Sequence, residues 1–123
     1  MDFSTKQINE LITGVQLSAE IQSSSPELRR FISVCGYANK GHHGKRLDKI
    51  INNEKLATTA FWIQDYEVSI EYIEKDWEIP DNEIVNNYYL SDIIGIENLK
   101  EELLKRISDL SILIPHWKCD APL

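Results

Sequence analysis

Apolar residues recur at helical intervals in the first third of the chain and at alternate positions in the middle. Ile8, Leu11, Ile12, Val15 and Ala19 make one stripe, whose spacing predicts a helix from about Thr5 to Gln22. Its start is marked by Ser4 and Gln7, a capping-box pair in which each side chain satisfies the other's free backbone N–H. Phe3 and Ile8 have the spacing of a hydrophobic staple. Gly14 lowers local propensity by about 1 kcal/mol relative to alanine, which the rest of the stripe outweighs. Ser23-Ser24-Ser25-Pro26 reads as a stop and a fresh start, with Ser25 as N-cap and Pro26 at the first helical position. Leu28, Phe31, Ile32 and Cys35 then predict a second helix to about Ala38, packed beside the first. Asn39 to Gly44 reads as a loop, and Leu47, Ile50 and Ile51 suggest a third helix ending near Asn53.

Beyond Leu56 the period changes. Tyr66, Val68, Ile70 and Tyr72 alternate with Glu67, Ser69, Glu71 and Ile73, the two-residue period of a half-buried strand. Thr58 to Ile63 and Ile84 to Leu90 predict two more strands, the latter set off by the turn-forming stretch Glu78-Ile79-Pro80-Asp81-Asn82 and antiparallel to the central one. Ile96, Leu99, Leu103, Ile107 and Leu110 predict a last helix at about Glu97 to Asp109, with Glu101–Lys105 and Glu102–Arg106 as i, i+4 pairs. In the apolar stretch Ile112 to Trp117, Pro115 admits only an edge strand or an extended segment. The fold class expected is α+β: N-terminal helices packed on a small, mainly antiparallel sheet, with one further C-terminal helix. The length of 123 residues suits one domain, helical over 1–53 and sheet plus helix over 54–123.

Charge adds a second division. Up to Asn53 seven basic side chains face five acidic ones; from Glu54 onward there are six basic and fifteen acidic, within a net charge of −7. The densest run, Asp65 to Glu83, carries eight carboxylates and one lysine, Lys75. Such a surface repels nucleic acid and anionic lipid and attracts a basic protein. Cys35 and Cys119 form neither a disulfide framework nor a metal knuckle, and a reduced compartment is expected. With no signal-peptide pattern and no apolar run near the ~20 residues of a membrane span, the expected location is cytoplasmic.

Motifs of chemistry are weak. Gly41-His42-His43-Gly44 offers two adjacent histidines, but zinc needs three or four ligands, and an exposed loop explains the pair. Gly36 and Gly41 have phosphate-loop spacing, yet histidines stand where lysine and serine or threonine are required. Gly44-Lys45-Arg46 could meet an anion at a helix start. Glu67 and Glu71 would share one strand face, solvated and therefore poor general acids. The basic groups Arg29-Arg30 and Lys45-Arg46-Lys49 are small against the total charge. No catalytic residue, metal or cofactor is assigned.

What stands out is an acidic, aromatic surface for a partner: Asp65, Glu67, Glu71, Glu74, Asp76, Trp77, Glu78 and Asp81. Tyr66 and Tyr72 read as core residues, and Trp77 as the anchor. The segments Tyr66 to Glu74, Asp76-Trp77-Glu78 and Pro115 to Leu123 resemble those of the immunity proteins of bacterial polymorphic-toxin systems, including contact-dependent growth inhibition. The resemblance lies in size, charge and α+β make-up. It implies a non-enzymatic cytoplasmic protein that covers the active site of a basic toxin domain, commonly a nuclease. The alternatives are an acidic adaptor subunit of a stable complex, or an enzyme assembled from scattered residues such as His42, His43 and Cys35.

Overall fold

The computed structural model describes residues 2–37 and 57–123. The loop at Asn39–Gly44, its two histidines and the expected third helix lie outside them. The chain forms helix α1 (Thr5–Ile12), strands β1 (Leu17–Ile21), β2 (Leu28–Tyr37) and β3 (Ala60–Ser69), and a short helix α2 (Ile70–Glu74). Strand β4 (Val85–Ile94), helix α3 (Ile96–Leu104) and a two-residue strand β5 (Ile114–Pro115) complete it, with short 3-10 turns between. The strands make one five-stranded sheet in the order β4-β3-β2-β1-β5, every neighbouring pair antiparallel. The fold class is α+β, as the change of period implies.

Helix α1 begins as expected. Ser4 caps it, and the reciprocal bonds between Ser4 and Gln7 complete the capping box. It stops ten residues earlier than the apolar stripe suggests, because Gly14 takes φ 88° and the chain turns into β1. The expected second helix is instead β2. Phe31 and Ile32 point to opposite faces of the sheet, and both are buried because both faces are covered there. A strand buried on two sides carries apolar residues at adjacent positions, which can imitate a helical stripe. Gly36 shows why the two elements fit together: a Cβ there would stand 2.1 Å from the backbone carbonyl oxygen of Leu11 at the end of α1. The segment expected to be helical therefore supplies two of the five strands.

The main core lies between the sheet and helices α1 and α3. Leu11, Leu17, Ile32, Val34, Phe61, Ile63, Leu99 and Leu103 are fully or almost fully buried in it. Ile107, Leu110 and Leu113 extend it past α3, so the expected apolar stripe is in place although the helix ends at Leu104. On the opposite face a smaller cluster gathers Phe31, Tyr66, Val68 and Ala121, with Ile73, Ile79, Ile84 and Cys119 against it. Pro115 sits on an edge strand, as its missing N–H requires. The segment after β5 then folds over the second face, where the Leu123 amide donates to the Tyr66 hydroxyl at 3.1 Å. Burial pushes the Tyr66 phenol up to about 12. No helix among the described residues is long and apolar enough to cross a membrane.

Candidate interaction surface

The two expected strands at Thr58–Ile63 and Tyr66–Ile73 are one strand, β3, and it ends at Ser69. Its neighbour β2 begins at Leu28, paired with Ser69, so beyond that point β3 has no ladder to continue. The chain coils into α2 instead, with the Ile70 amide donating to the Glu27 carbonyl. This break divides the acidic run in two.

Before the break, Asp65 and Glu67 are buried, at 2% and 3% exposure. The expectation that Glu67 stands on a solvated strand face is overturned. Asp65 lies beside Ile32 and Glu67 beside Arg30 in the register, on the helix-covered side of the sheet. Arg30 grips Asp65 with two bonds, Nε to Oδ1 at 2.8 Å and Nη2 to Oδ2 at 2.6 Å. Arg106, just past α3, adds Nη1 to Oδ2 at 2.9 Å and stacks 3.6 Å over the Tyr88 ring. Burial pushes the Asp65 carboxyl up, but the bonds from both guanidiniums outweigh it and leave the group below its ordinary value. Glu67 accepts from the Ser24 amide and hydroxyl, each at 2.9 Å, and from the Asn86 side chain at 2.8 Å. Burial raises its carboxyl too, and these donors overcome that and lower it. Neither carboxylate is free for a partner. The Glu67–Glu71 pair has no shared face, since Glu71 stands on α2.

After the break, Glu71, Glu74, Asp76, Trp77, Glu78 and Asp81 are all exposed, as is Glu83. Their arrangement follows from how α2 ends. Lys75 is its C-cap and Asp76 adopts φ 52°. The Trp77 amide donates to the Tyr72 carbonyl at 3.0 Å and the Asp76 amide to that of Ile73 at 3.3 Å. This is the pair of bonds of a Schellman motif, with aspartate in the place usually held by glycine. The motif brings the residue after the left-handed turn back onto the last helical turn. Trp77 accordingly packs edge-on against Tyr72, ring centroids 6.1 Å apart, while remaining 52% exposed. The Lys75 ammonium sits 4.6 Å from the Trp77 ring and 3.6 Å from Glu71. The tryptophan is thus packed on one side by Tyr72 and Lys75 and open to solvent on the other, within a run of exposed carboxylates.

Of the two basic groups, Lys45-Arg46-Lys49 lies outside the described residues, and Arg29-Arg30 is engaged within the fold. Arg29 pairs with Glu20 and Asp120, and Arg30 with Asp65, so neither forms a cationic patch. One constellation escaped the sequence: Ser33 and Ser18 hydroxyls 2.7 Å apart, with Ser18 Oγ 2.8 Å from His116 Nδ1. Both serines are fully buried within the sheet, so a substrate cannot reach them. The relay satisfies buried hydroxyls and fastens the segment after β5. Cys35 and Cys119 are free thiols, and burial raises that of Cys35. Among the described residues no group of three or more histidine, cysteine or carboxylate side chains is placed to hold a metal. No protein-family model, curated protein or solved structure matches the chain.

Proposed function

We propose that this chain binds a basic protein through the acidic run between Glu71 and Glu83 and neutralises it by covering its cationic cleft, as an immunity protein does a toxin nuclease. The observation that carries the reading is Trp77, half exposed, packed against Tyr72 and Lys75, and flanked in the chain by the exposed Glu71, Glu74, Asp76, Glu78 and Asp81. A pre-positioned tryptophan gives up little freedom on binding, and such side chains are frequent hot spots. The carboxylates supply steering and stand where a nuclease would hold phosphates. Asp65 and Glu67 support the scaffold and lie outside the interface.

The test is co-expression with the product of the reading frame directly upstream, followed by binding kinetics at several salt concentrations and a growth-rescue assay. Tight binding that weakens with salt and restores growth is expected. Trp77→Ala should then cost about 2 kcal/mol of affinity, roughly a thirtyfold loss. A loss below about 0.5 kcal/mol would remove Trp77 from the interface, and absence of binding and rescue would sink the toxin reading.

A further inference from the structure

The acidic run leads directly into a sheet edge that is open among the described residues. Among the described residues β4 has one neighbour, β3, so alternate backbone N–H and C=O groups on its outer side lack a strand partner. Asn86 and Asp92, at φ 50° and 58°, each lie where two β4 residues oppose one of β3. Bulges of this kind interrupt pairing. Between these two left-handed residues the outer edge runs over Asn87–Ser91, of which Tyr88–Leu90 stay in regular register with β3. Tyr89, at its centre, is 56% exposed and stacks on Trp62 with ring centroids 6.1 Å apart. Exposed Asp81 and Glu83 stand at one end and exposed Asp92 at the other, and β4 carries no lysine or arginine. Natural edges are commonly guarded by lysine; this one is acid-flanked.

We propose that Asn87–Ser91 accepts an extended basic segment of a partner protein as an added antiparallel or parallel strand. The inference rests on the basic-partner reading above and extends its surface along β4. Backbone bonds would supply the pairing, the Tyr89–Trp62 stack a platform for a lysine or arginine side chain, and the flanking carboxylates the preference for positive charge. A second copy of this chain fits the edge less well, since antiparallel pairing of β4 with itself brings Asp81 and Glu83 of one copy towards Asp92 of the other.

The probe is a short end-blocked peptide alternating lysine and valine, added to the isotope-labelled full chain, with amide hydrogen exchange read residue by residue. Exchange at alternate amides within Asn87–Ser91 is expected to slow by about tenfold at saturation. The same peptide N-methylated at alternate residues, equal in charge but unable to complete a ladder, should give no slowing. Equal effects of the two peptides would overturn strand addition. So would slow exchange at these amides without peptide, whether constant or rising with protein concentration, since the edge would then be covered by the chain itself or by a second copy. Shifts confined to Glu71–Glu78, or no change at any residue, would overturn the edge proposal and leave the basic-partner reading to the co-expression test.

Discussion

Two stretches of one acidic run, separated by the step from Ser69 to Ile70, have opposite physical fates. Asp65 and Glu67 are withdrawn from water and saturated with donors from Arg30, Arg106, Ser24 and Asn86. The carboxylates from Glu71 to Glu83 stand in solvent, in the same stretch as the half-exposed Trp77. The same side-chain chemistry therefore holds the fold together on one side and is left available on the other. What separates them is the ladder: β3 keeps its partner β2 up to Ser69, and both faces of the sheet are covered there. A carboxylate's position in the hydrogen-bonded scaffold, more than its neighbours in sequence, decides which of these it becomes.

The contrast can be broken from either side. The largest expected effect is that of Asp65→Ala, which leaves Arg30 and Arg106 without their buried counter-charge. A loss of about 3 kcal/mol is expected, the lower end for a broken buried pair because both guanidiniums keep some water. Urea titration measures it, and Asp65→Asn serves if the alanine variant does not accumulate. Acid should reproduce part of this loss. Both carboxyls sit below their unfolded-state values, so the unfolded chain binds the proton more tightly. Their stabilisation is complete above about pH 5 and fades as the pH falls through the folded-state values. The double variant Asp65→Asn, Glu67→Gln should flatten that acid limb; an unchanged pH slope would remove these two groups as its source.

On the exposed side, Glu71→Lys should leave stability within about 0.5 kcal/mol while slowing association with a basic partner by about tenfold at low salt. A Glu71→Lys protein as destabilised as Asp65→Ala would erase the contrast. The smallest effect belongs to Asp76→Gly, which relieves the left-handed turn after α2. It should stabilise by a few tenths of a kcal/mol or more, read as a rise in melting temperature, provided Trp77 keeps its contact with Tyr72.

Local signals were legible in the chain where one residue's neighbours settle its state. The Ser4–Gln7 box, the Leu99–Leu103 stripe, the β3–β4 pairing and the edge position of Pro115 needed nothing remote. Leu28–Tyr37 reads as a helix because Phe31 and Ile32 are buried by different layers, which a single stripe cannot express, and Leu17–Ile21 because the apolar stripe runs on past the turn at Gly14. The exposure of six of the eight candidate residues is legible from local signals too: Glu71 to Asp81 depend on a local turn. Asp65 and Glu67 depend on residues far away in sequence, above all Arg106, which reads as a helical partner of Glu102 but turns instead to Asp65. The one available hint was Arg30 beside the apolar Phe31-Ile32, a cation entering a core and so in need of an anion.

The Gln7 side chain closes the N-terminal end of the fold on residues synthesised more than a hundred positions later. Its Nε2 donates to the carbonyls of Leu110 and Leu113, at 2.9 and 3.0 Å, and β1 pairs with β5. During translation the first helix thus waits, with its buried amide unanswered, until the chain past Asp109 has left the ribosome. The sheet can be nearly assembled by then, but its first face is sealed only when Leu110 and Leu113 arrive to answer that amide.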